Sequence, residues 1–481
     1  MLQCKECGLE MGMVTNSHLM KCSNLTVKEY QKKHSLLSDI DKYYIFGRWC
    51  GDGCKTGKSL EISRGEEELN EMEAISKMLC TTMKHSKSFT TRFKGYSYLK
   101  EEFEQMYNAI LHDYSKIKLV DDLMFSFTAG FLDSDGSVLL PDPNSSSVSS
   151  VNSIKIEFYN AEVNLLIFVK SFLESKGLKP MLKEPNYRAT NVGVVDKTFT
   201  LSTCQKIDNY YLAYNLSKFS IHHTKKDKLD RFVDWFDSYN LDQEINISEI
   251  FYSIEGEGRT IGQPKVFIRV FGCPFECSFC DSKHSISKSK NLSDKYRMSL
   301  RDVISKVKSF DHFKNIEFTG GSPDWFPNKI AYLMIYFKAR YGSKATMQVS
   351  GGLYNDKIDK LFRHSELNAF DMKDPRENIG FVIPYSVIRK QDEIKFLIRD
   401  EWSYKWVKET IKMLQHEGVN CSFIVTTLTE NDTQDGEAKI QHLNQYKEMV
   451  ERILNDETFN TYNVRMLPRL HVLLWGNKKL V

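Results

Sequence analysis

Three cysteines spaced C-x3-C-x2-C stand in GCPFECSFCDS: Cys273, Cys277 and Cys280, directly after the apolar run KVFIRVFG. Three thiolates on one short loop match three irons of a cubane [4Fe–4S] cluster and leave the fourth iron open for a small molecule. The competing chemistry is a zinc knuckle, with His284 as a fourth ligand four residues beyond Cys280. A second metal pattern opens the chain: Cys4-x2-Cys7, a ten-residue gap, then His18-x3-Cys22, four ligands for tetrahedral Zn2+. A segment as short as 1–35 builds no core alone, so a metal would supply its folding energy. The third pattern is a repeat. Ile45-Phe-Gly-Arg-Trp-Cys-Gly-Asp-Gly53 returns 83 positions later as Thr128-Ala-Gly-Phe-Leu-Asp-Ser-Asp-Gly136. Each copy reads as an apolar helix that ends in an acid before glycine, Asp52 in the first and Asp135 in the second.

The GCPFECSFCDS loop resembles that of the radical S-adenosylmethionine (radical SAM) superfamily, in which the open iron takes the amine and carboxylate of SAM. Phe279 fits the family position near the adenine. Thr319-Gly320-Gly321-Ser322-Pro323 is similar to the family's glycine-rich SAM-binding turn, with Gly321 as a SAM contact and Ser322 where a Glu is common. Residues 244–481 resemble, more specifically, the 7-carboxy-7-deazaguanine synthases. The residues that carry this are SEIFYSIEGEGRTIGQPKVFIRVFGCPFECSFCDS at the start and NVRMLPRLHVLLWGNKKLV at the end. Glycyl-radical activators share the cysteines but lack these flanks.

This resemblance implies a lyase of queuosine-type deazapurine biosynthesis. In it a 5′-deoxyadenosyl radical takes hydrogen from C6 of 6-carboxy-5,6,7,8-tetrahydropterin, and the ring contracts with loss of ammonia to 7-carboxy-7-deazaguanine. It assigns the substrate carboxylate to Arg269, and substrate contacts to Ile254, Glu255, Gly256, Thr319, His471 and Val481. Glu255 stands where the family has Gln, and Glu257 follows in the same motif. Ser282 is the implied Mg2+ ligand, and Asp281, Asp371, Met372 and Lys373 fall at cofactor-binding positions. The implied partners are an electron donor such as flavodoxin and a second copy of the synthase domain in a homodimer.

The paired helices, followed by SIKIEFYNAEVNLLIFVKSFLESKGL and IHHTKKDKLDRF, resemble the LAGLIDADG homing endonucleases. In that family two such helices pack together and their final acids share divalent metals, here Asp52 and Asp135, for phosphodiester cleavage. Opposed carboxylates around a metal pair suit in-line phosphoryl transfer, stabilising both attacking and leaving oxygens. Arg48 and Cys50 set the first repeat apart. Lys225 and Lys226 read as a solvated face or as a phosphate contact. The 1–35 segment resembles small zinc fingers attached to nucleases, so double-stranded DNA is the implied partner of residues 1–243. No His-Asn pair precedes a Cys, Ser or Thr near 243, which disfavours an intein.

The elements that must position these groups are legible in outline. From about 244, short apolar runs recur at 265–272, 315–321, 345–351, 369–375, 393–400 and 420–427, with helical spacing between them. Repeated strand–helix units predict a parallel sheet whose site lies at the strands' C-terminal ends. The expected fold class is α/β: a C-terminal partial (β/α) radical SAM barrel behind a small zinc finger (1–35) and an α+β two-repeat domain (36–243). With 481 residues, 41% of them hydrophobic, the chain has material for about three domains. Lys plus Arg number 66 and Asp plus Glu 63, and residues 1–243 carry 31 basic against 32 acidic side chains. Any nucleic-acid surface must therefore come from local arrangement. No apolar run reaches the ~18 residues of a membrane span, so no membrane partner and a cytoplasmic setting are expected. There, cysteines outside the two constellations (Cys50, Cys54, Cys80, Cys204 and Cys421) default to structural roles rather than disulfides. Two other readings remain: a DNA-cutting or DNA-binding protein with a passenger synthase domain, and another radical SAM reaction on the same cluster.

Overall fold

The computed structural model describes every residue except 1, 4–5, 12–15, 27–28, 31–32, 34–36, 57–58, 64–67, 80–82, 86–89, 94–96, 141–153, 190–194, 281, 292, 429–434 and 476–481. For residues 2–3, 10–11, 16, 85, 97, 188–189, 195–196, 435 and 437–438 it describes the backbone alone. The chain divides into two compact units, Met1–Phe236 and Asp237–Val481.

In the N-terminal unit a short helix, Asn16–Cys22, buries Leu19 against Tyr30. The two repeats form the helices Asp39–Asp52 and Asp121–Asp135. Ser38 starts the first of these, its hydroxyl accepting from the Asp41 N–H at 3.1 Å. Each helix buries a long stretch, Tyr44 to Cys50 in the first and Met124 to Asp133 in the second. They meet backbone to backbone. A Cβ on Gly47 would sit 2.0 Å from the Phe127 carbonyl oxygen, and one on Gly130 2.0 Å from that of Tyr44. The 83-residue offset maps Gly47 onto Gly130 and Tyr44 onto Phe127, so the contact is reciprocal about a pseudo-two-fold axis. An antiparallel sheet follows each helix. The first has the order Leu60–Ser63, Thr90–Phe93, Met83–His85. The second runs Gly136–Leu139, Lys155–Asn160, Val195–Thr203, Met181–Ala189.

The C-terminal unit is built on one nine-stranded sheet. Its order is Arg297–Ser299, Glu244–Ile254, Pro264–Val270, Asn315–Gly320, Lys344–Val349, Leu367–Asp371, Glu393–Ile398, Ser422–Thr427, Val464–Met466. The first two pairings are antiparallel, and every pairing from Pro264–Val270 onwards is parallel. No ladder joins the two outer strands among the described residues. Helices such as Leu300–Lys308, Pro327–Tyr341 and Glu401–His416 link the parallel strands. The strand-and-helix reading of the second half matches this architecture; the antiparallel strand Glu244–Ile254 is an addition to it. The two-residue period of a strand divides PKVFIRV cleanly. Val266, Ile268 and Val270 are fully buried on one face, whereas Phe267 and Arg269 line a cavity on the other. No helix among the described residues is long and apolar enough to cross a membrane.

Candidate active site

The C-terminal ends of the parallel strands surround a cavity of about 630 Å3, and Cys273, Cys277 and Cys280 lie in its wall. Their loop is pinned at both ends. The N–H groups of Gly272 and Cys273 donate to the carbonyls of Ser285 and Ser287, each at 2.9 Å. The N–H and hydroxyl of Ser278 both donate to the Glu377 carboxylate at 2.7 Å, which Arg399 holds at 2.9 Å. None of the three cysteines is in a disulfide. The three sulfurs and the His284 ring do not converge within 4.8 Å of one another. A tetrahedral zinc ion would require thiolates about 3.8 Å apart. His284 faces Glu249 instead, at 3.7 Å. The described residues thus do not gather these four side chains as a zinc knuckle, and three thiolates on one loop are the donor set of a cubane. Burial raises the thiols of Cys273 and Cys277, so a metal is what would draw their protons off.

Next to the cysteines the cavity wall carries Phe279, Gly321, Asp371, Met372 and Lys373. Lys373 and Arg399 lie 5.9 and 5.4 Å from the Phe279 ring centre. Gly320 turns at φ +103°, a conformation that glycine adopts freely. Ser322 does not reach the cavity; its hydroxyl donates to the fully buried Asp324, which also accepts from Ser350 at 3.2 Å. Burial pushes the Asp324 carboxyl up to about 6 against those two hydrogen bonds.

Arg269 donates from Nε to Glu249 and from Nη1 to the Ser282 hydroxyl, each at 2.9 Å, and Ser282 and Thr319 share its cavity. Glu257 is held by Lys395 at 2.8 Å and Arg469 at 2.9 Å. Burial alone would raise its carboxyl, but the charges of Lys395, Arg469 and His471 hold it well below the usual range. The Leu470 N–H donates to the Gly256 carbonyl at 2.9 Å, which seats His471 against Gly256 and beside Ile254 in the cavity wall.

Glu255, expected to meet substrate, lines the cavity, but it is 5% exposed and both its oxygens have partners in the protein. Oε2 accepts from Lys265 at 3.0 Å, and Oε1 from the N–H groups of Gly256 and Glu257 at 3.0 and 3.2 Å. Lys265 also donates to Glu317 at 2.7 Å, Thr346 at 2.9 Å and Thr260 at 2.8 Å. Burial, then the neighbouring Glu317, pushes Glu255 up to about 7. The sequence reading passed over Lys265, Glu317, Lys395, Arg469 and Asp324. A signal existed for three of them: Lys265, Glu317 and Lys395 each lie at alternating positions inside apolar strands, on the face shared with Arg269, Thr319 and Leu397.

In the N-terminal unit, Gly51 brings the two repeat ends together: a Cβ there would be 2.9 Å from Asp135 Cγ. Burial pushes Asp52 up to about 7, opposed by Arg48 at 3.7 Å. Burial also raises Asp135, which accepts from Asn160 at 2.7 Å. Lys225 is not on a solvated face: its ammonium donates to the carbonyls of Leu132 and Asp133, both at 2.8 Å, at the C-terminal end of the second repeat helix. Lys226 likewise donates to the Ser217 carbonyl. Cys7, His18 and Cys22 converge within 4.8 Å, with Cys7 Sγ 3.3 Å from His18 Nε2. Cys4, Cys80, Asp281 and Val481 lie outside the described residues. Cys50 and Cys421 are buried thiols, and burial pushes Cys421 up to about 12.

Residues 267–438 match the radical SAM superfamily. The chain is 26% identical over 233 residues to the 7-carboxy-7-deazaguanine synthase of Aquifex aeolicus, covering 48% of this chain and 93% of that protein. It is 26% identical over 247 residues to that of Bacillus subtilis, covering 49% and 98%. Among solved structures, QueE from Escherichia coli is similar at 18% identity over 48% of this chain and 98% of its own, with a TM-score of 0.34. A mesophilic variant of the homing endonuclease I-DmoI is similar at 12% identity over 37% and 97%, with a TM-score of 0.25. The C-terminal half of this chain is thus a radical SAM domain with 7-carboxy-7-deazaguanine synthases among its homologues.

Proposed function

We propose that the C-terminal unit contracts the ring of 6-carboxy-5,6,7,8-tetrahydropterin to 7-carboxy-7-deazaguanine. One observation carries this reading: the three cysteines, the Gly321 turn, the Arg269–Ser282 pair and the Glu257–Lys395–Arg469 group line a single cavity. With a [4Fe–4S] cluster on Cys273, Cys277 and Cys280, bound SAM supplies a carbon-centred radical on one-electron reduction. The protein's own work is to bind, orient and shield. Arg269 uses two of its five N–H donors on Glu249 and Ser282, which fixes the guanidinium plane and leaves donors for the substrate carboxylate. Ser282, beside that carboxylate, is the residue that would hold Mg2+. Glu257, kept ionised by its two cations, accepts from pterin N–H groups. Glu255 acts through the turn it ties down, not by contact. Phe251, Phe267 and Met372 supply apolar wall that keeps quenching water out.

The test is anaerobic reconstitution with iron and sulfide, followed by mass analysis of the product formed from the carboxytetrahydropterin, SAM and a flavodoxin-type reductant. The expected result is about four irons per chain and the deazaguanine product, with neither in Cys277→Ala and iron without product in Arg269→Ala. A chain that binds the cluster and cleaves SAM but converts no pterin overturns the substrate assignment and favours another radical SAM reaction.

A second activity is supported by the reciprocal glycine contact, which brings Asp52 and Asp135 to adjoining helix ends. We infer that the N-terminal unit cuts double-stranded DNA with divalent metal on these acids, aided by zinc on Cys7, His18 and Cys22 with Cys4 as fourth ligand. Cleavage of plasmids carrying the intact local gene sequence, lost in Asp52→Asn and in Asp135→Asn, is expected; no cleavage by the unaltered chain refutes it.

A further inference from the structure

The N-terminal unit holds a second group of potential ligands, apart from both the finger and the paired acids. Glu71 comes from the helix Leu69–Met78, and His222 and His223 from the start of the helix His223–Leu241. His222 Nδ1 lies 3.4 Å and His223 Nδ1 3.7 Å from Glu71 Oε1, and the three side chains each offer a ligand atom within 4.8 Å of the others.

We propose that Glu71, His222 and His223 form a site for one zinc-class divalent ion, with water in the fourth position. Three independent features lead there. First, Glu71 is 97% buried in effect, at 3% exposure, yet neither of its carboxylate oxygens has a hydrogen bond, and neither has His222 Nδ1. Leaving such groups unmet costs about 1–3 kcal/mol each, more for a charge, so a native fold keeps them only where something else satisfies them. Second, the Arg48 guanidinium that pairs with Glu71 reaches one of its two oxygens. Arg48 approaches only Oε2, at 3.4 Å, so Oε1 is the atom left for an ion. Third, the spacing is that of a tetrahedron. Ligands about 2.1 Å from one ion are about 3.4 Å apart in tetrahedral geometry and about 3.0 Å apart at right angles. The two separations from Glu71 fall at the tetrahedral value or slightly above. His223 is 70% exposed in its side chain, which gives an ion a path from solvent and leaves a face for water. Two imidazoles and one carboxylate are borderline donors that suit zinc over magnesium or calcium.

The finger and the cluster loop contain thiolates and this site does not, so those separate spectroscopically, and the paired acids Asp52 and Asp135 are removed by substitution. The full chain is prepared with Cys4, Cys7, Cys22, Cys273, Cys277 and Cys280 changed to serine and Asp52 and Asp135 to asparagine, stripped with chelator and titrated with Co2+. The expected result is one equivalent bound, with visible d–d absorption and no thiolate charge-transfer band. Adding Glu71→Gln, or His222→Ala with His223→Ala, reduces this to none while the circular dichroism spectrum is unchanged. If the serine background does not fold, zinc content is compared between the native chain and its Glu71→Gln variant, and one equivalent fewer is expected. Absence of Co2+ binding in a folded serine background, or metal content indifferent to Glu71→Gln and to the histidine changes, overturns the proposal.

Discussion

Lys265→Met tests the idea that the cavity floor is organised by one buried cation. The Lys265 side chain is 1% exposed and its ammonium touches Glu255 at 3.0 Å and Glu317 at 2.7 Å, themselves 6% and 2% exposed. Methionine is one heavy atom shorter and keeps the packing of the stem, so the substitution removes charge and little volume. Breaking a buried pair by deleting one partner costs about 3–5 kcal/mol, because the other charge stays behind unpaired. In a unit of this size each kcal/mol lowers Tm by about 2–4 °C, which predicts a fall of about 6–20 °C. The pH dependence follows from Glu255. Its carboxyl is raised from 4.5 to about 7, so the folded state holds a proton that the unfolded state releases. Its contribution to stability is full below the unfolded value and is lost as pH rises through about 7. Without the ammonium, Glu255 keeps its proton to still higher pH, so Lys265→Met costs less at pH 6 than at pH 8. Calorimetry of the full chain at both values, with the transition assigned by hydrogen exchange in peptides from 264–270 and 315–320, checks this. A loss below about 1 kcal/mol, or a larger loss at pH 6, refutes the reasoning.

Gly47→Val pushes a side chain into the Phe127 carbonyl, so the two repeat helices must separate; an N-terminal-unit loss of about 1–3 kcal/mol or more is expected in thermal unfolding. Glu257→Gln strands Lys395 and Arg469. Exchange should quicken in 464–475 at neutral pH, and the effect should disappear in acid, since a carboxyl held below 4.5 stabilises only above its folded pKa. Arg269→Lys retains charge but loses the planar fork; product formation in kcat/KM should fall about 10- to 150-fold, the worth of one charge-assisted hydrogen bond.

The chemistry of the second half was readable because cofactor ligands crowd into short segments. Cys273, Cys277 and Cys280 lie within eight residues, and the Gly320–Gly321 turn follows a strand that the apolar pattern already marks. The repeat in the first half was readable because pseudo-symmetry copies residue types at a constant offset. Glu255 shows where such reading stops. A motif position suggests contact with a ligand, but that the same carboxylate pairs with a buried lysine depends on a neighbour ten residues away, itself tied to Glu317 on an adjacent strand.

Residue type and local spacing alone marked the parallel strands, the cysteine loop and the repeated helices, since each depends on interactions within a few residues or on a repeated period. Only the folded chain decided that Lys265 links Glu255 to Glu317, that Arg469 reaches back 212 positions to Glu257, and that Glu71 meets His222 and His223. Charges separated by that much chain are paired by strand order and helix packing. Their energies depend on burial, which exists only after the tertiary structure has formed.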